Sequence, residues 1–108
     1  MATKAELEHG ESLEDAVATG NVIINYWAPW CGPCRILNMM IAPILESLPE
    51  NVTILMVDVD EHMDSVTVRG IRSVPTLVFM QNGEEKEHVV GAISEKELRD
   101  RVAAAFGA

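Results

Sequence analysis

Cys31 and Cys34, separated by Gly32 and Pro33, are the residues whose type and spacing most directly suggest chemistry in this sequence. They follow the apolar run 22–28, which is typical of a strand buried on both faces. Apolar residues at helical spacing begin at Pro33, a residue that is favoured in the first turn of a helix. Residues three apart in such a turn lie on the same side of it. The two sulfurs can therefore form a disulfide or a dithiol with little backbone motion.

Placement at the start of a helix predicts different roles for the two cysteines. Unpaired N–H groups and the positive end of the helix dipole favour the thiolate form of Cys31. We therefore expect Cys31 to be the exposed nucleophile. Cys34, one turn further and more buried, is expected to stay protonated until Cys31 has formed a mixed disulfide with a substrate. It then attacks that disulfide and releases the reduced product.

Two other interpretations apply to a Cys-x-x-Cys pair. It can be half of a zinc site, but a structural zinc site needs four ligands, and the histidines occur singly at His9, His62 and His88. It can also be a pair of inert core cysteines. The Gly-Pro dipeptide between the cysteines and the strand before them favour the redox role. We therefore expect no metal.

The elements that must position this pair follow the order βαβαβαββα, which predicts an α/β fold with a mixed central sheet. Strands are predicted at residues 5–9, 22–28, 52–59, 76–80 and 86–90. Two helices are predicted after N-caps at Ser12 and Ser94, another from Pro33 onward, and a short helix at residues 61–69. Pro43 is expected to kink the helix that contains Cys34. Asp58 and Asp60 are expected to cap the helix that follows them.

Composition restricts the class of protein. A length of 108 residues with 48% hydrophobic and 23% charged residues predicts a single globular domain over residues 1–108. The net charge of −9 makes nucleic-acid binding through a basic face unfavourable. Apolar runs are shorter than the roughly 18–20 residues of a membrane span, and the first residues carry acids where a signal peptide has an apolar core. We expect a cytoplasmic monomer that does not bind membranes.

The sequence resembles the thioredoxin family from about residue 22 to its C-terminus. The resemblance rests on the motif Trp-Cys-Gly-Pro-Cys at 30–34, the segment Ser-Val-Pro-Thr at 73–76, the Asn-Gly turn at 82–83 and Gly91. It implies the thioredoxin fold, in which helices flank a central mixed sheet, with a cis Val74–Pro75 bond facing the cysteines. It also implies that Trp30, Val74, Pro75 and Gly91 form the substrate-binding surface, and that Trp30, Gly32, Pro33 and Asn25 tune the cysteine pair.

The activity implied by the resemblance is reduction of protein disulfides, with Cys31 as nucleophile and Cys34 as resolving thiol. No bound cofactor is implied. A separate reductase, either an NADPH-dependent flavoenzyme or a ferredoxin-linked enzyme, would restore the dithiol, since this chain has no Gly-rich dinucleotide motif. Two alternatives stay open. One is a disulfide oxidant or isomerase, and the other is a non-redox subunit that binds a larger enzyme through the surface around the motif.

The sequence departs from the family at two places. Asn25 occupies the position of a buried aspartate behind the second cysteine, and Met56 occupies that of a neighbouring lysine. An amide cannot accept the proton that Cys34 must lose, so altered proton transfer is expected. Alternatively, Asn25 only forms a local hydrogen bond, and another base accepts the proton from Cys34. Met39 stands where the family has a helix proline; residues 39–41 are expected in the core, with an exposed contact surface as the alternative.

Overall fold

The computed structural model describes residues 1–107 and contains a five-stranded mixed sheet flanked by helices. The elements are, in chain order, β1 (Thr3–Glu6), α1 (Leu13–Ala16), β2 (Asn21–Trp27), α2 (Gly32–Ile44), a 3-10 turn (Leu45–Ser47), β3 (Val52–Asp58), α3 (Met63–Val68), β4 (Thr76–Gln81), β5 (Glu84–Val90) and α4 (Glu95–Phe106). The predicted fold class and element order are confirmed.

Strand β2 is the central strand of the sheet, whose order is β1-β3-β2-β4-β5. It runs parallel to β3 and antiparallel to β4. Its five inner residues are all buried, because helices cover the sheet on both faces. This explains the unbroken apolar run in the sequence, and it places the cysteine pair directly beyond the carboxyl end of the most protected strand.

Alternation along β2 divides the core into two clusters. On one face, Ile23 packs with Leu37 and Ile41 of α2 and with Leu98 of α4. On the other face, Val22, Ile24 and Tyr26 of β2 belong to a second cluster. This cluster also contains Leu13 of α1 and Val66 of α3. Asn25 has the same parity as Ile23, so its side chain lies on the face that α2 covers.

The predicted boundaries of β1 are wrong. The strand covers Thr3–Glu6 rather than residues 5–9, in parallel register with residues 53–56 of β3. Leu7, the next residue, donates one more backbone hydrogen bond to Met56 O (2.9 Å) and buries its side chain in the core. The chain then leaves the sheet edge, since the side chain of His62 contacts the Leu7 carbonyl oxygen at 2.9 Å.

Helix α2 contains Pro43 as its penultimate residue and passes into the 3-10 turn after Ile44. Ile41 is buried in the core, as expected, and Met40 is half-buried against it. Met39 is 77% exposed, so the expectation that it belongs to the core is wrong. The buried positions of α2 recur every three or four residues, and Met39 falls on the opposite face.

Candidate functional site

Cys31 and Cys34 form a disulfide at the N-terminus of α2, with their Cα atoms 5.2 Å apart. Cys31 is the N-cap residue, with an extended backbone, and Pro33 lies in the first turn. The backbone N–H of Cys34 donates a hydrogen bond to Cys31 Sγ at 3.1 Å. The same donor would stabilise a thiolate at Cys31 once the disulfide is opened. The local geometry therefore supports a nucleophilic role for Cys31.

Cys31 is less accessible than the sequence suggested, whereas Cys34 is buried as expected. Cys31 is 5% exposed and Cys34 is 1% exposed, so the prediction of an exposed Cys31 is wrong for the disulfide form, although the predicted ranking is correct. The pair packs with Ala28, and the partly buried Trp27 and Val74 cover this cluster.

The Val74–Pro75 peptide bond is cis, as the resemblance implies, and the carbonyl oxygen of Val74 lies 3.7 Å from Cys31 Sγ. Pro75 is buried, and its carbonyl oxygen accepts a hydrogen bond from the N–H of Gly91 at 2.8 Å. Gly91 has φ +96°, a conformation that a residue with a side chain rarely adopts. Gly91 thus anchors the segment that faces the disulfide.

An apolar cavity of about 170 Å³ lies beside Val59 and Val74, two residues that pack against the cysteine pair. Its lining residues are Trp30, Val59, Val66, Ile71, Arg72, Ser73 and Val74. Trp30 is 67% exposed and half-buried Val74 contacts the cysteine cluster, so these two predicted contact residues share one surface. Pro75 and Gly91 do not line this cavity. Gly91 instead holds Pro75, the residue after Val74, through its N–H hydrogen bond to the Pro75 carbonyl oxygen.

Asp60 is a site residue that the sequence reasoning missed. Its Oδ2 accepts a hydrogen bond from Trp30 Nε1 at 3.0 Å. The expected helix caps are wrong, because Asp58 Oδ1 accepts from the N–H of Asp60 and the N-cap of α3 is His62, without a side-chain hydrogen bond. Carboxyl ends of adjacent parallel strands meet at one edge of a sheet. That rule could have placed Asp60, after β3, beside Trp30, after β2.

A second cavity, of about 330 Å³, lies between α2 and the residues that precede the cysteine motif. Trp27, Ala28, Pro29, Arg35, Asn38 and Met39 line it. It shares no residue with the cavity at Trp30 and Val74. The short stretch from Trp27 to Trp30 therefore separates two depressions, one towards α2 and one towards the cis-proline segment.

Asn25 is fully buried and lies opposite Met56 in the β2–β3 register. Its Nδ2 donates to Asn38 Oδ1 at 2.8 Å and lies 3.4 Å from Met56 Sδ. Its Oδ1 has no partner within residues 1–107, and no hydrogen bond in that range joins Asn25 to either cysteine. Asn38 is one helical turn beyond Cys34. The amide is thus connected to the cysteine helix indirectly.

Within residues 1–107, no group of three or more His, Cys, Asp or Glu side chains is placed to hold a metal ion. The same residues contain no helix that is both long and apolar enough to cross a bilayer. The arrangement that the structure does provide is a disulfide at a helix N-terminus, beside an apolar surface.

The sequence model of the Thioredoxin family matches residues 3–104. The chain is 36% identical over 96 residues to Thioredoxin from Bacillus subtilis, covering 85% of this chain and 88% of that protein. It is 41% identical over 85 residues to the chloroplastic Thioredoxin M-type of Pisum sativum, covering 75% of this chain. The match spans about half the length of that relative, 47%, and 45% of the Spinacia oleracea protein of the same name.

Solved structures show the same fold. The N21Q mutant thioredoxin from Halobacterium salinarum NRC-1 aligns with a TM-score of 0.82 at 30% identity, covering 95% of this chain and 90% of that chain. Malassezia sympodialis thioredoxin aligns with a TM-score of 0.82 at 29% identity, covering 97% and 95%. The family match extends over nearly the whole described chain and includes the disulfide and the cis-proline segment. On this evidence the chain belongs to the thioredoxin family.

Proposed function

We propose that the protein is a thiol-disulfide oxidoreductase that reduces disulfides in other proteins. The observation that carries this proposal is the hydrogen bond from the Cys34 N–H to Cys31 Sγ, 3.1 Å, at the N-terminus of α2. A backbone donor and the helix dipole both stabilise negative charge on this sulfur, and the thiolate is the form that attacks a disulfide. Family membership supports the same activity.

The reaction starts from the dithiol. The Cys31 thiolate attacks one sulfur of the substrate disulfide, forms a mixed disulfide with it, and displaces the other sulfur as a thiolate that takes up a proton. Cys34 then loses its proton and attacks Cys31 Sγ. The bond between Cys31 and the substrate breaks, and the second substrate thiolate leaves. Two electrons have passed to the substrate, and the protein is left in the disulfide form that the structure shows.

Another turnover requires a reductant from outside the chain. A separate reductase, an NADPH-dependent flavoenzyme or a ferredoxin-linked enzyme, would supply two electrons to the Cys31–Cys34 disulfide. The protein itself would bind no cofactor. A cytoplasmic location and a monomeric state stay predictions of the sequence.

Asn25 is proposed to make proton loss from Cys34 less efficient than in relatives with a buried aspartate. Its amide does not titrate near neutral pH, and its Nδ2 is already committed to Asn38. Water or the leaving substrate thiolate would then accept the proton. The neutral pair of Asn25 and Met56 also avoids the cost of burying two charges, which is several kcal/mol per ion.

Substrates are proposed to dock over Trp30 and Val74. The exposed indole and the cavity beside it offer apolar contact. The backbone of Val74 can pair with an extended substrate segment, because Pro75 has no N–H and cannot continue a ladder there. Gly91 would hold the Val74–Pro75 segment of the protein in place through its hydrogen bond to the Pro75 carbonyl oxygen.

Insulin reduction tests the proposal, with NADPH and a thioredoxin reductase as the electron source. We expect turnover by the wild-type protein and none by the double variant Cys31→Ser/Cys34→Ser. A disulfide oxidant would instead show no turnover with any reductase and a reduction potential of about −120 mV. A non-redox subunit would keep its partner's function in the double variant. Either of those results would contradict the proposal.

A further inference from the structure

Most basic side chains of this acidic protein are neutralised by neighbouring carboxylates. The chain has eight Lys and Arg residues against 17 Asp and Glu. Five of the eight form ion pairs: Arg69, Lys86, Lys96, Arg99 and Arg101. Within residues 1–107, Lys4, Arg35 and Arg72 form no ion pair. The positions of these three residues decide where the surface can attract an anion.

Arg35 and Arg72 line the two depressions on either side of residues 27–30, which lead into the cysteine motif. Arg35 follows Cys34 in α2, lines the 330 Å³ cavity, and places its Nη2 3.5 Å from the carbonyl oxygen of Pro29. Arg72 is exposed, precedes the cis-proline segment, and lines the 170 Å³ cavity with Trp30. Each depression next to the cysteine pair therefore carries one guanidinium without a carboxylate partner. Lys4 lies elsewhere, on the edge strand β1.

The same region carries exposed apolar side chains. Ile36 and Met39, one helical turn apart on α2, are 70% and 77% exposed, and Trp30 is 67% exposed. We call this surface the active-site face; its residues are Trp30, Arg35, Ile36, Met39, Arg72 and Val74. Its exposed apolar side chains are available to contact a partner protein.

We propose that the active-site face selects protein disulfides whose flanking residues are acidic. This proposal rests on the proposed reductase function and specifies its substrate class. Arg35 and Arg72 would each bind a carboxylate on one side of the substrate disulfide, while Trp30 contacts an apolar side chain between them. Asp60, which accepts a hydrogen bond from Trp30 Nε1, keeps its negative charge and opposes this selection together with the other acids of the molecule. No carboxylate within residues 1–107 forms an ion pair with either arginine.

The charge of the rest of the molecule opposes this selection. The direction in which salt changes kcat/KM therefore shows which of the two charge effects is larger. A net charge of −9 repels an acidic peptide, whereas the two arginines attract it. Exposed charges are screened over about 10 Å at 0.1 M salt. If the arginines dominate, added salt lowers kcat/KM for an acidic substrate. If the net charge dominates, added salt raises it.

The experiment uses two synthetic peptides with the same intramolecular disulfide, one flanked by Glu and one by Gln. The readout is the ratio of their kcat/KM values for the fully reduced protein, so a general change in activity cancels. We expect the wild-type protein to prefer the Glu peptide, and salt to reduce the preference. Arg35→Glu and Arg72→Glu should each lower the ratio by at least about twofold, because each substitution removes one exposed ion pair and adds a repulsive charge.

Lys4→Glu is the matched control, because it changes the net charge by the same amount. Lys4 is exposed and pairs with Ile54, near the end of the sheet opposite the cysteines. The ratio of kcat/KM for the two peptides should be the same for Lys4→Glu as for the wild-type protein. A wild-type ratio of one or less, or an equal loss in Lys4→Glu, would overturn the selection while leaving the reductase function intact. Failure to reduce either peptide would overturn both.

Discussion

The side-chain amide of Asn25, on the central strand, donates a 2.8 Å hydrogen bond to Oδ1 of Asn38 on α2. This contact links the buried interior of the sheet to the helix that carries Cys34, one turn from that cysteine. Two amides therefore form the link at the position where the family resemblance leads one to expect an ionisable acid. Substitutions at Asn25 and at Asn38 can each test what this hydrogen bond does.

Asn38→Ala should destabilise the protein by about 1–3 kcal/mol, because it leaves the buried Asn25 Nδ2 with only the weak acceptor Met56 Sδ. The free energy of unfolding in urea measures this. Asn51→Ala is the control, since Asn51 is exposed, and its effect should stay within about 0.5 kcal/mol. Equal effects of the two substitutions would show that the Asn25–Asn38 hydrogen bond makes no net contribution to the free energy of unfolding.

Asn25→Asp should make stability depend on pH. Burial raises the pKa of the new carboxyl in the folded protein above its unfolded value of about 3.9. Between these two pKa values the folded state binds more protons, so stability relative to the wild-type protein falls as pH rises. Urea unfolding from pH 4 to pH 8 measures this, with Asn51→Asp as an exposed control of equal charge.

The same Asn25→Asp variant tests the proton-transfer proposal. A carboxylate behind Cys34 can accept its proton, so the rate at which the mixed disulfide is resolved should rise and should acquire a dependence on the pKa of the new group. Stopped-flow measurement of product release against pH reports that step. A rate and a pH profile identical to those of the wild-type protein would remove Asn25 from the mechanism.

Tyr26 gives a further prediction at alkaline pH. Burial raises its pKa from 10.0 to about 12, and its Oη is buried without a hydrogen-bond partner in residues 1–107. Between these values the unfolded state loses a proton that the folded state keeps. Tyr26 therefore lowers the free energy of unfolding by about 1.4 kcal/mol per pH unit as pH rises through that range.

Tyr26→Phe removes both the titration and the unpaired hydroxyl. At pH 7 the variant should be at least as stable as the wild-type protein, because no hydrogen bond is lost. Its stability should also decline less steeply than that of the wild-type protein above pH 10. Urea unfolding at pH 7, 10 and 11 compares the two proteins. A clear loss of stability at pH 7 would contradict the unpaired state of the hydroxyl.

Exposure along α2 predicts opposite outcomes for two neighbouring residues. Ile41→Ala should cost about 2–5 kcal/mol, because Ile41 is 1% exposed in the core. Met39→Ala should change the free energy of unfolding by less than about 0.5 kcal/mol, because Met39 is 77% exposed. Thermal or urea unfolding separates the two. A large loss for Met39→Ala would mean that its side chain packs against the protein.

Local patterns in the sequence were enough to predict most elements. The apolar run of β2, the cap at Ser12 and the cap at Ser94 depend on neighbouring residues alone, and both caps accept the expected backbone hydrogen bonds. The cysteine motif likewise combines a strand end, a helix start and two thiols within a few residues. Its position in the fold could therefore be predicted before any tertiary contact was known.

Features that depend on distant parts of the chain could not be predicted in this way. The bounds of β1 are set by its pairing with β3 at a sheet edge, where Leu7 packs inward instead of extending the strand. The partner of Asn25 lies 13 residues away on another element, and Trp30 meets Asp60 across 30 residues. Neither pair shows in the local sequence pattern, and the Trp30–Asp60 contact follows only once β2 and β3 are known to be adjacent parallel strands.

Trapping the mixed disulfide tests the distinct roles of Cys31 and Cys34 most directly. The reduced Cys34→Ser and Cys31→Ser variants are each mixed with oxidised insulin, and covalent complexes are identified by non-reducing electrophoresis and mass spectrometry. We predict that Cys34→Ser accumulates a complex bonded through Cys31, because the resolving thiol is missing. Cys31→Ser should accumulate none. A complex formed through Cys34, or no complex with either variant, would contradict the assignment of Cys31 as nucleophile and Cys34 as resolving thiol.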